Sequence, residues 1–560
     1  MKRCHELLKS LPCGISRLFG MMALPLIALI AACGEGPSSP SQMDTAARPV
    51  AVRVEGESHS FDALLGGVVW VNSKTTARKI AAETAKLPDG LLVAIKGPML
   101  GYRFDLDSWE SGEGLGSTGT ETDAPNLDEV FTIYGSPNTR FVLCLPSPSP
   151  ATLGGTDSNG IHAYLWQTPA YYAALCQYLF GTADTAAADT PLDPRRDFFT
   201  TDPDFNWANL RARRGRLTPY PVEAVIIGGE PYNEGWGHDG GGYGGYVAQV
   251  RAAIRARGIT VPYGVCLDYQ SAYHDNSWFD PMLAALGSMD LPSYYDFTHV
   301  YQFEYTADWN RSFPVSVRND GFAFGWTPRD TWGVDYTRFM YYTEDLRMGL
   351  SKRGLPLSPR MGWSEHGILV STQFAWNGMD GALFWANWLS EVMRTGVGWD
   401  AIWTLGAEGY STALVQVVGG KTLLPPAYEV YRLALGLRGR TVLNLSYQSP
   451  EGQCQQAGET DPQGKPVMVS FPWIVIRGFR DPSTGSTSLF VVNQSLSDSF
   501  RITGFETKQI LNWEEVSGSS YSDGDPFHAP FVNTFSGKRM VRGDAPLIIR
   551  PCSVTRIDLG

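Results

Sequence analysis

Between residues 60 and 420 one pattern recurs, and it restricts the fold more than any other feature of the chain. Short apolar or β-branched runs that end in Gly, Asn or Pro alternate with amphipathic stretches. TARKIAAETAKL reads as a helix and leads into LLVAIKGP (91–98). RFVLCLPSP (140–148) reads as a strand, TPAYYAALCQYLFG (168–181) as a helix, VEAVIIGGE (222–230) as a strand and YVAQVRAAIRARG (246–258) as a helix. VPYGVCLD (261–268), DFTHVYQF (296–303) and RMGWSEHG (360–367) are strand-like, ALFWANWLSEVMRTG (382–396) is helical, and DAIWTLG (400–406) closes the series. Strand, helix, strand at this spacing makes βαβ units around a parallel sheet. Seven or eight of them predict an α/β fold, a (β/α)8 TIM barrel over residues 61–420. A doubly wound sheet would carry a Gly-rich phosphate turn after an early strand, and the sequence has none.

After PPAYEVYRLALGLRG (425–439) the texture changes. SLFVVNQS (488–495), FRITGF (500–505), APLIIRP (545–551) and VTRIDL (554–559) are short alternating runs between polar turns. They predict a C-terminal all-β sandwich over 421–560, to which PVAVRVEG (49–56) can add a strand. There is no solenoid-type repeat.

The first 32 residues read as an address. Lys2, Arg3, Lys9 and Arg17 precede an apolar run, Leu18 to Ala32, which is too short to span a bilayer comfortably. The run ends Leu29-Ile30-Ala31-Ala32-Cys33-Gly34, small residues directly before a cysteine, which resembles the bacterial lipobox. That resemblance implies a lipoprotein signal over 1–32, lipidation of Cys33 and residence in the bacterial cell envelope, at the outer membrane or cell surface. The Gly/Pro/Ser-rich stretch within 33–60 suits a flexible tether. An ordinary secretory signal with an incidental cysteine is the alternative.

Acidic residues outnumber basic ones, 57 to 45, for a net charge of −12. The first 32 residues hold a net +3, so the remainder stands at −15. That balance excludes an electrostatic nucleic-acid binder, which needs a basic footprint. Seventeen Trp and 25 Tyr in a chain that is only 18% charged suit a surface that stacks on sugar rings, although burial accounts for most aromatics in most proteins. No Cys/His spacing suggests zinc, no metal cluster is visible and no cofactor is implied. Beyond the signal and Cys33, five cysteines remain; Cys454 and Cys552 could pair in an oxidising compartment, or all could be buried thiols. Nothing in the sequence speaks to oligomeric state.

In a barrel the working residues sit at the C-terminal ends of strands. Glu230 ends Ala224-Val225-Ile226-Ile227-Gly228-Gly229, a hydrophobic strand that stops at Gly-Gly-Glu-Pro. Glu365 follows Arg360-Met361-Gly362-Trp363-Ser364. Three βα units fit between them, which sets one near strand 4 and the other near strand 7. Two carboxyls at a barrel mouth suit glycosidic cleavage: the leaving oxygen needs a proton and the developing oxocarbenium needs an anion.

At this point the chain resembles the clan of retaining (β/α)8 glycoside hydrolases with acid/base and nucleophile on strands 4 and 7, and within it family 51, the α-L-arabinofuranosidase type. The likeness is carried by Trp207-Ala208-Asn209-Leu210-Arg211-Ala212 with Gly215 and Pro219 ahead of the Gly-Gly-Glu strand, by Trp236 and Tyr246 after it, by GPMLGYRFDLDSW (97–109), by Asp296-Phe297-Thr298-His299-Val300-Tyr301 and by PPAYEVYRL. It implies a carbohydrate substrate, Glu230 as general acid/base, Glu365 as nucleophile, Tyr301 as hydrogen-bond donor to that nucleophile and His299 at the mouth. Trp236 and Trp363 could stack on sugar faces or be core, and Asn233 and Glu234 share the Glu230 loop. One position departs from the family: Gly229 stands where an Asn usually binds the sugar 2-hydroxyl. His238, Asp239 and GGGYGG (240–245) read as a flexible loop above the mouth. The competing reading is a non-catalytic glycan-binding lipoprotein on a decayed glycosidase barrel.

Overall fold

The computed structural model describes residues 47–69, 73–96, 125, 127–147, 149, 168–184, 204–229, 231, 235–267, 278–287, 291–297, 300–303, 350–351, 354, 360–369, 378–408, 413–460, 463–519, 523–524 and 546–560. After β1 (Arg48–Ser60) come β2 (Leu64–Val69), β3 (Leu91–Lys96), β4 (Thr139–Leu145), β5 (Val222–Ile227), β6 (Tyr263–Leu267), β7 (Tyr294–Phe297), β8 (Val300–Phe303), β9 (Arg360–Leu369) and β10 (Trp399–Glu408). β2 to β7 pair in sequence order, β7 pairs β9, β9 pairs β10 and β10 returns to β2, every pair parallel. The sheet therefore closes on itself as an eight-stranded parallel barrel. β8 continues along β9 in the register that β7 sets, with Phe297 opposite Trp363 and Val300 opposite His366, so β7 and β8 together make the sixth barrel strand.

Helices α1 (Lys74–Thr84), α2 (Leu127–Tyr134), α3 (Pro169–Phe180), α4 (Trp207–Arg213), α5 (Gly240–Ala256), α6 (Phe279–Leu286) and α7 (Met379–Thr395) lie between strands in the chain. Several start on a side-chain cap that satisfies an orphan amide: Ser73 accepts from Thr76 N at 3.3 Å, Thr168 from Tyr171 N at 3.2 Å and Asn206 from Ala208 N at 3.0 Å. The inner strands are apolar almost throughout because both faces are covered, one by the barrel interior and one by helices. In β4, TRFVLCL, all but Arg140 are buried.

β11 (Val415–Val418) and β12 (Lys421–Leu423) form a hairpin on β10, and α8 (Pro426–Leu435) leads to the second domain. Its strands are β13 (Thr441–Tyr447), β14 (Glu451–Thr460), β15 (Pro466–Pro472), β16 (Ile474–Arg480), β17 (Thr487–Asn493), β18 (Phe500–Thr503), β19 (Ile510–Ser517), β20 (Leu547–Ile549) and β21 (Ser553–Leu559). β14 and β15 pair only with each other; the rest, with β1, follow the order β19-β21-β17-β16-β13-β1-β18-β20. The long β1 serves both halves of this sheet, antiparallel to β13 and parallel to β18. Ile502 and Ile549 from one half share a core with Ile474, Leu489, Trp513 and Ile557 from the other, so the sheet doubles over a sandwich core.

The outer face of the sandwich is buried as well. Val475, Phe490, Val492 and Val554 join the barrel-side core, alternating with residues that point into the sandwich. Polar clamps fix the junction: Arg477 Nη2 pairs with Glu391 Oε1 of α7 at 2.6 Å, Arg477 Nε donates to the Ser390 carbonyl at 2.9 Å, and Asn387 Nδ2 donates to Gln494 Oε1 at 2.9 Å. The chain therefore builds a (β/α)8 barrel with a C-terminal β domain packed on its last helices.

Candidate active site

β5 is the fourth barrel strand and β9 the seventh. The end of β5 is held unusually firmly. Pairing with β6 stops at Ile227 opposite Val265. The next residue, Gly228, turns with φ +107 and donates its N–H to the Leu145 carbonyl at 2.6 Å. A Cβ at Gly228 would lie 3.2 Å from each of Cys266 Sγ, Ser147 Oγ and Tyr243 Oη, so the position excludes other side chains by both dihedral and space.

Those three neighbours tie strands 3, 4 and 5 together. The Tyr243 hydroxyl, reaching back from α5, donates to the Ile227 carbonyl and accepts the Cys266 N–H at 2.8 Å. The Cys266 thiol donates to the Gly228 carbonyl at 2.8 Å. Trp278 stacks on Tyr243 with centroids 5.0 Å apart and donates Nε1 to the Cys266 carbonyl at 3.2 Å. Tyr172 of α3 donates to the Pro146 carbonyl at 2.7 Å. Buried carbonyls and amides past the ends of a ladder need partners, and here side chains supply them.

Trp236 belongs to the same structure. Of its two readings, sugar face or core, the packing fits the second: Trp236 is only 8% exposed, its Nε1 donates to the Ser147 carbonyl, and its ring lies against Tyr246 at 5.9 Å. The ring is packed as a wall of the loop. The GGGYGG stretch also differs from expectation: it is the first turn and a half of α5, not a flexible loop. Asp239 caps the helix by accepting Gly242 N at 2.8 Å. The glycines allow contact with α6, since a Cβ on Gly240 would sit 2.1 Å from the Trp278 carbonyl oxygen and one on Gly244 2.6 Å from that of Met282.

Strand 7 is seated from within the barrel near its start. Gly362 pairs with Asp296 on β7 and with Trp399 on β10. The Trp399 ring occupies the space a side chain at 362 would need, its Cε2 only 2.0 Å from the position of a Cβ there. Its Nε1 donates to Asp296 Oδ1 at 3.1 Å, and its ring lies 4.4 Å from that of Tyr294. Just beyond, the register slips. Trp363 pairs Asp400 and His366 pairs Ile402, so Ser364 and Glu365 together face the single residue Ala401. That is a β-bulge, a device that re-aims side chains and recurs beside active sites.

Of the other predicted site residues, Tyr301 and Trp363 take strand positions in β8 and β9. Glu230, Asn233, His299 and Cys33 lie outside the described residues, as do Glu234 and the 97–109 segment. Asn209 and Arg211 of the WANLRA motif are buried on α4. Arg211 donates to the carbonyls of Tyr178, Gly181, Leu217 and Arg216 at 2.5, 2.8, 2.9 and 3.2 Å, and burial lowers its pKa. The motif is scaffold for the turn into β5. Cys144, Cys176, Cys266 and Cys552 are buried, and the side chain of Cys454 lies outside what the structure describes. Burial pushes the Cys176 thiol up to about 12. Among the described residues no three His, Cys, Asp or Glu side chains gather as a metal site, and no helix is long and apolar enough to cross a membrane.

No family model matches the chain, and no curated protein sequence matches it. Solved structures do. An α-L-arabinofuranosidase from Thermotoga maritima is 14% identical, with 91% of this chain and 99% of that one covered and a TM-score of 0.57. A family 51 α-L-arabinofuranosidase from Bifidobacterium longum is 12% identical over 92% and 100%, with a TM-score of 0.61. A family 44 xyloglucanase from Paenibacillus polymyxa is 12% identical over 92% and 100%, with a TM-score of 0.51. The likeness is one of fold. It extends across barrel and β domain together, so the chain shares the overall architecture of these structures.

Proposed function

We propose that the protein is a retaining glycoside hydrolase acting on arabinofuranoside-type or related polysaccharide fragments. Glu365 attacks the anomeric carbon while Glu230 protonates the leaving oxygen; Glu230 then deprotonates the water that releases the sugar from Glu365. For this, the carboxyls must lie about 5–5.5 Å apart. The observation that carries the reading is topological: β5, three residues before Glu230, is the fourth strand of a closed parallel barrel, and β9, with Glu365 in its bulge, is the seventh. Barrel enzymes draw their working residues from the C-terminal ends of strands, and that general rule supports giving these two glutamates the roles proposed. The test is hydrolysis of aryl arabinofuranosides and related glycosides by the wild type, Glu230→Ala and Glu365→Ala. Loss in both variants is expected; unchanged turnover in both would end the proposal.

The second reading, glycan binding without turnover, draws on Gly229. That residue is buried at the position where the resembled family binds the 2-hydroxyl, and the lost contact is one that strengthens in the transition state. Binding across a glycan panel with no turnover would favour it. A covalent glycosyl adduct on Glu365 would exclude it. We further propose export and lipid anchoring through Cys33; fatty-acid labelling that fails on the wild type, or persists in Cys33→Ser, would refute the anchor.

A further inference from the structure

We infer that Tyr243 and Cys266 are positioning residues that staple the base of the Glu230 loop and so fix where its carboxyl meets the leaving oxygen; this rests on reading Glu230 as the acid/base. The loop leaves β5 at Gly228 and returns as α5. Tyr243, on the second turn of that helix, donates to the carbonyl of Ile227, the residue immediately before the turn. The same hydroxyl accepts the Cys266 N–H from strand 5, and the Cys266 thiol donates to the Gly228 carbonyl. One phenol and one thiol therefore close a loop of 15 residues, 228–242, at its root and pin that root to the neighbouring strand. A second anchor holds the middle of the loop, where Trp236 donates to the Ser147 carbonyl on the strand 3 side.

These contacts begin one residue past the end of the β5–β6 ladder. There the Gly228 N–H to Leu145 carbonyl bond holds the chain on the β4 side, and Tyr243 and Cys266 hold it on the β6 side. Gly228 has a left-handed φ and three close neighbours, so the turn has one packing solution while the staple is intact. Without the staple the loop keeps its connections but loses its fixed origin, and general acid catalysis depends steeply on that geometry.

A positioning defect at an acid differs from loss of stability in one readout. Departure of a poor leaving group needs the proton; departure of dinitrophenolate does not. The test measures kcat/KM over aryl glycosides of graded leaving-group ability for wild type, Tyr243→Phe, Cys266→Ala, Cys266→Ser and Glu230→Ala. Tyr178→Phe serves as control, a buried tyrosine whose hydroxyl bonds Asp128 away from the mouth. Tyr243→Phe is expected to lose about tenfold or more on methoxyphenyl glycosides and less than about threefold on dinitrophenyl ones. Cys266→Ala should show the same trend more weakly, and Cys266→Ser, which keeps a donor, should restore it. A parallel fall across the series, or none, with Glu230→Ala still dependent on the leaving group, overturns the staple alone. Glu230→Ala without that dependence overturns the acid/base reading and the staple with it. Should Tyr243→Phe fail to fold, the Cys266 pair decides.

Discussion

Gly362→Ala is expected to be among the most damaging one-carbon additions in the molecule, and its cost can be worked from the packing. The new Cβ would lie 2.0, 2.1 and 2.4 Å from Cε2, Nε1 and Cζ2 of Trp399. The obstacle is a rigid ring, fully buried and in contact with the Tyr294 ring, so it cannot swing aside as a flexible tip would. Overpacking of this kind costs about 1–3 kcal/mol. Moving the indole also takes Nε1 from Asp296, which is itself fully buried, and loss of a buried hydrogen bond to a carboxylate adds about 1–3 kcal/mol. The total, roughly 2–6 kcal/mol, is a large share of a typical folding free energy of about 5–15 kcal/mol. If the ring causes the damage, a smaller residue should absorb it. Trp399→Leu will itself cost about 3–5 kcal/mol through its cavity and the lost donor, but Gly362→Ala added to it should cost less than about 1 kcal/mol, because the new methyl then fills space. Urea unfolding of the four proteins, followed by circular dichroism, gives the cycle. Costs that add within about 0.5 kcal/mol would refute the assigned contact.

Three further outcomes are expected. Arg211→Met should destabilise by about 3 kcal/mol or more, since it strands several buried carbonyls at once, and Arg211→Lys should not rescue it, because one ammonium cannot span the fork; thermal melting of both variants checks this. Gly240→Ala and Gly244→Ala should each destabilise despite alanine's better helix propensity of about 1 kcal/mol, because their Cβ atoms would meet α6 backbone; a raised melting temperature would contradict the close approach. Burial alone would raise the Asp558 carboxyl, but Arg556, Ser488, Arg440 and Asn512 together hold it below the ordinary carboxylate range. Its contribution to stability is thus complete above the unfolded value of about 3.9 and fades as pH falls through the lower folded value. Asp558→Asn should flatten that acid limb in urea titrations; an unchanged slope would count against the network.

The barrel was legible where strands are buried on both faces and read as apolar runs, as in LLVAIK, RFVLCL and VEAVII. The first strand, LLGGVV, was not singled out, since two glycines interrupt its apolar run. The space for them is set by strand 2, whose Leu92 carbonyl oxygen would lie 1.9 Å from a Cβ at Gly66. The start of α5 escaped for a related reason: glycine's low helix propensity is overruled by contact with α6. Trp236 stayed open between sugar platform and core because its acceptor, Ser147, is 89 residues away in the chain. The candidate glutamates stood out as residue types after apolar runs; Glu365 falls within β9 and not at its end, and Glu230 lies outside the described residues. The bulge at Ser364–Glu365 was not, since a bulge is a property of two strands and only one of them carries it.

The two halves of the candidate site are secured by different means, and this leads to a last prediction. Strand 4 ends in a loop held from outside the barrel, by Tyr243 on α5 and by Cys266 and Ser147 on flanking strands. Strand 7 is seated from inside, by Trp399 under Gly362 and by Asp296 beside it. On the proposed mechanism these supports serve different steps, proton delivery at one and nucleophilic attack at the other. Trp399→Phe keeps a ring in the barrel but removes the indole N–H, so it loosens the seat of strand 7 while leaving the strand 4 staple intact. The fall in kcat/KM should then be nearly equal for good and poor leaving groups, the opposite of the pattern expected for Tyr243→Phe. The same leaving-group dependence in both variants would mean that the mouth yields as one body, and that the division between an outer and an inner support is wrong.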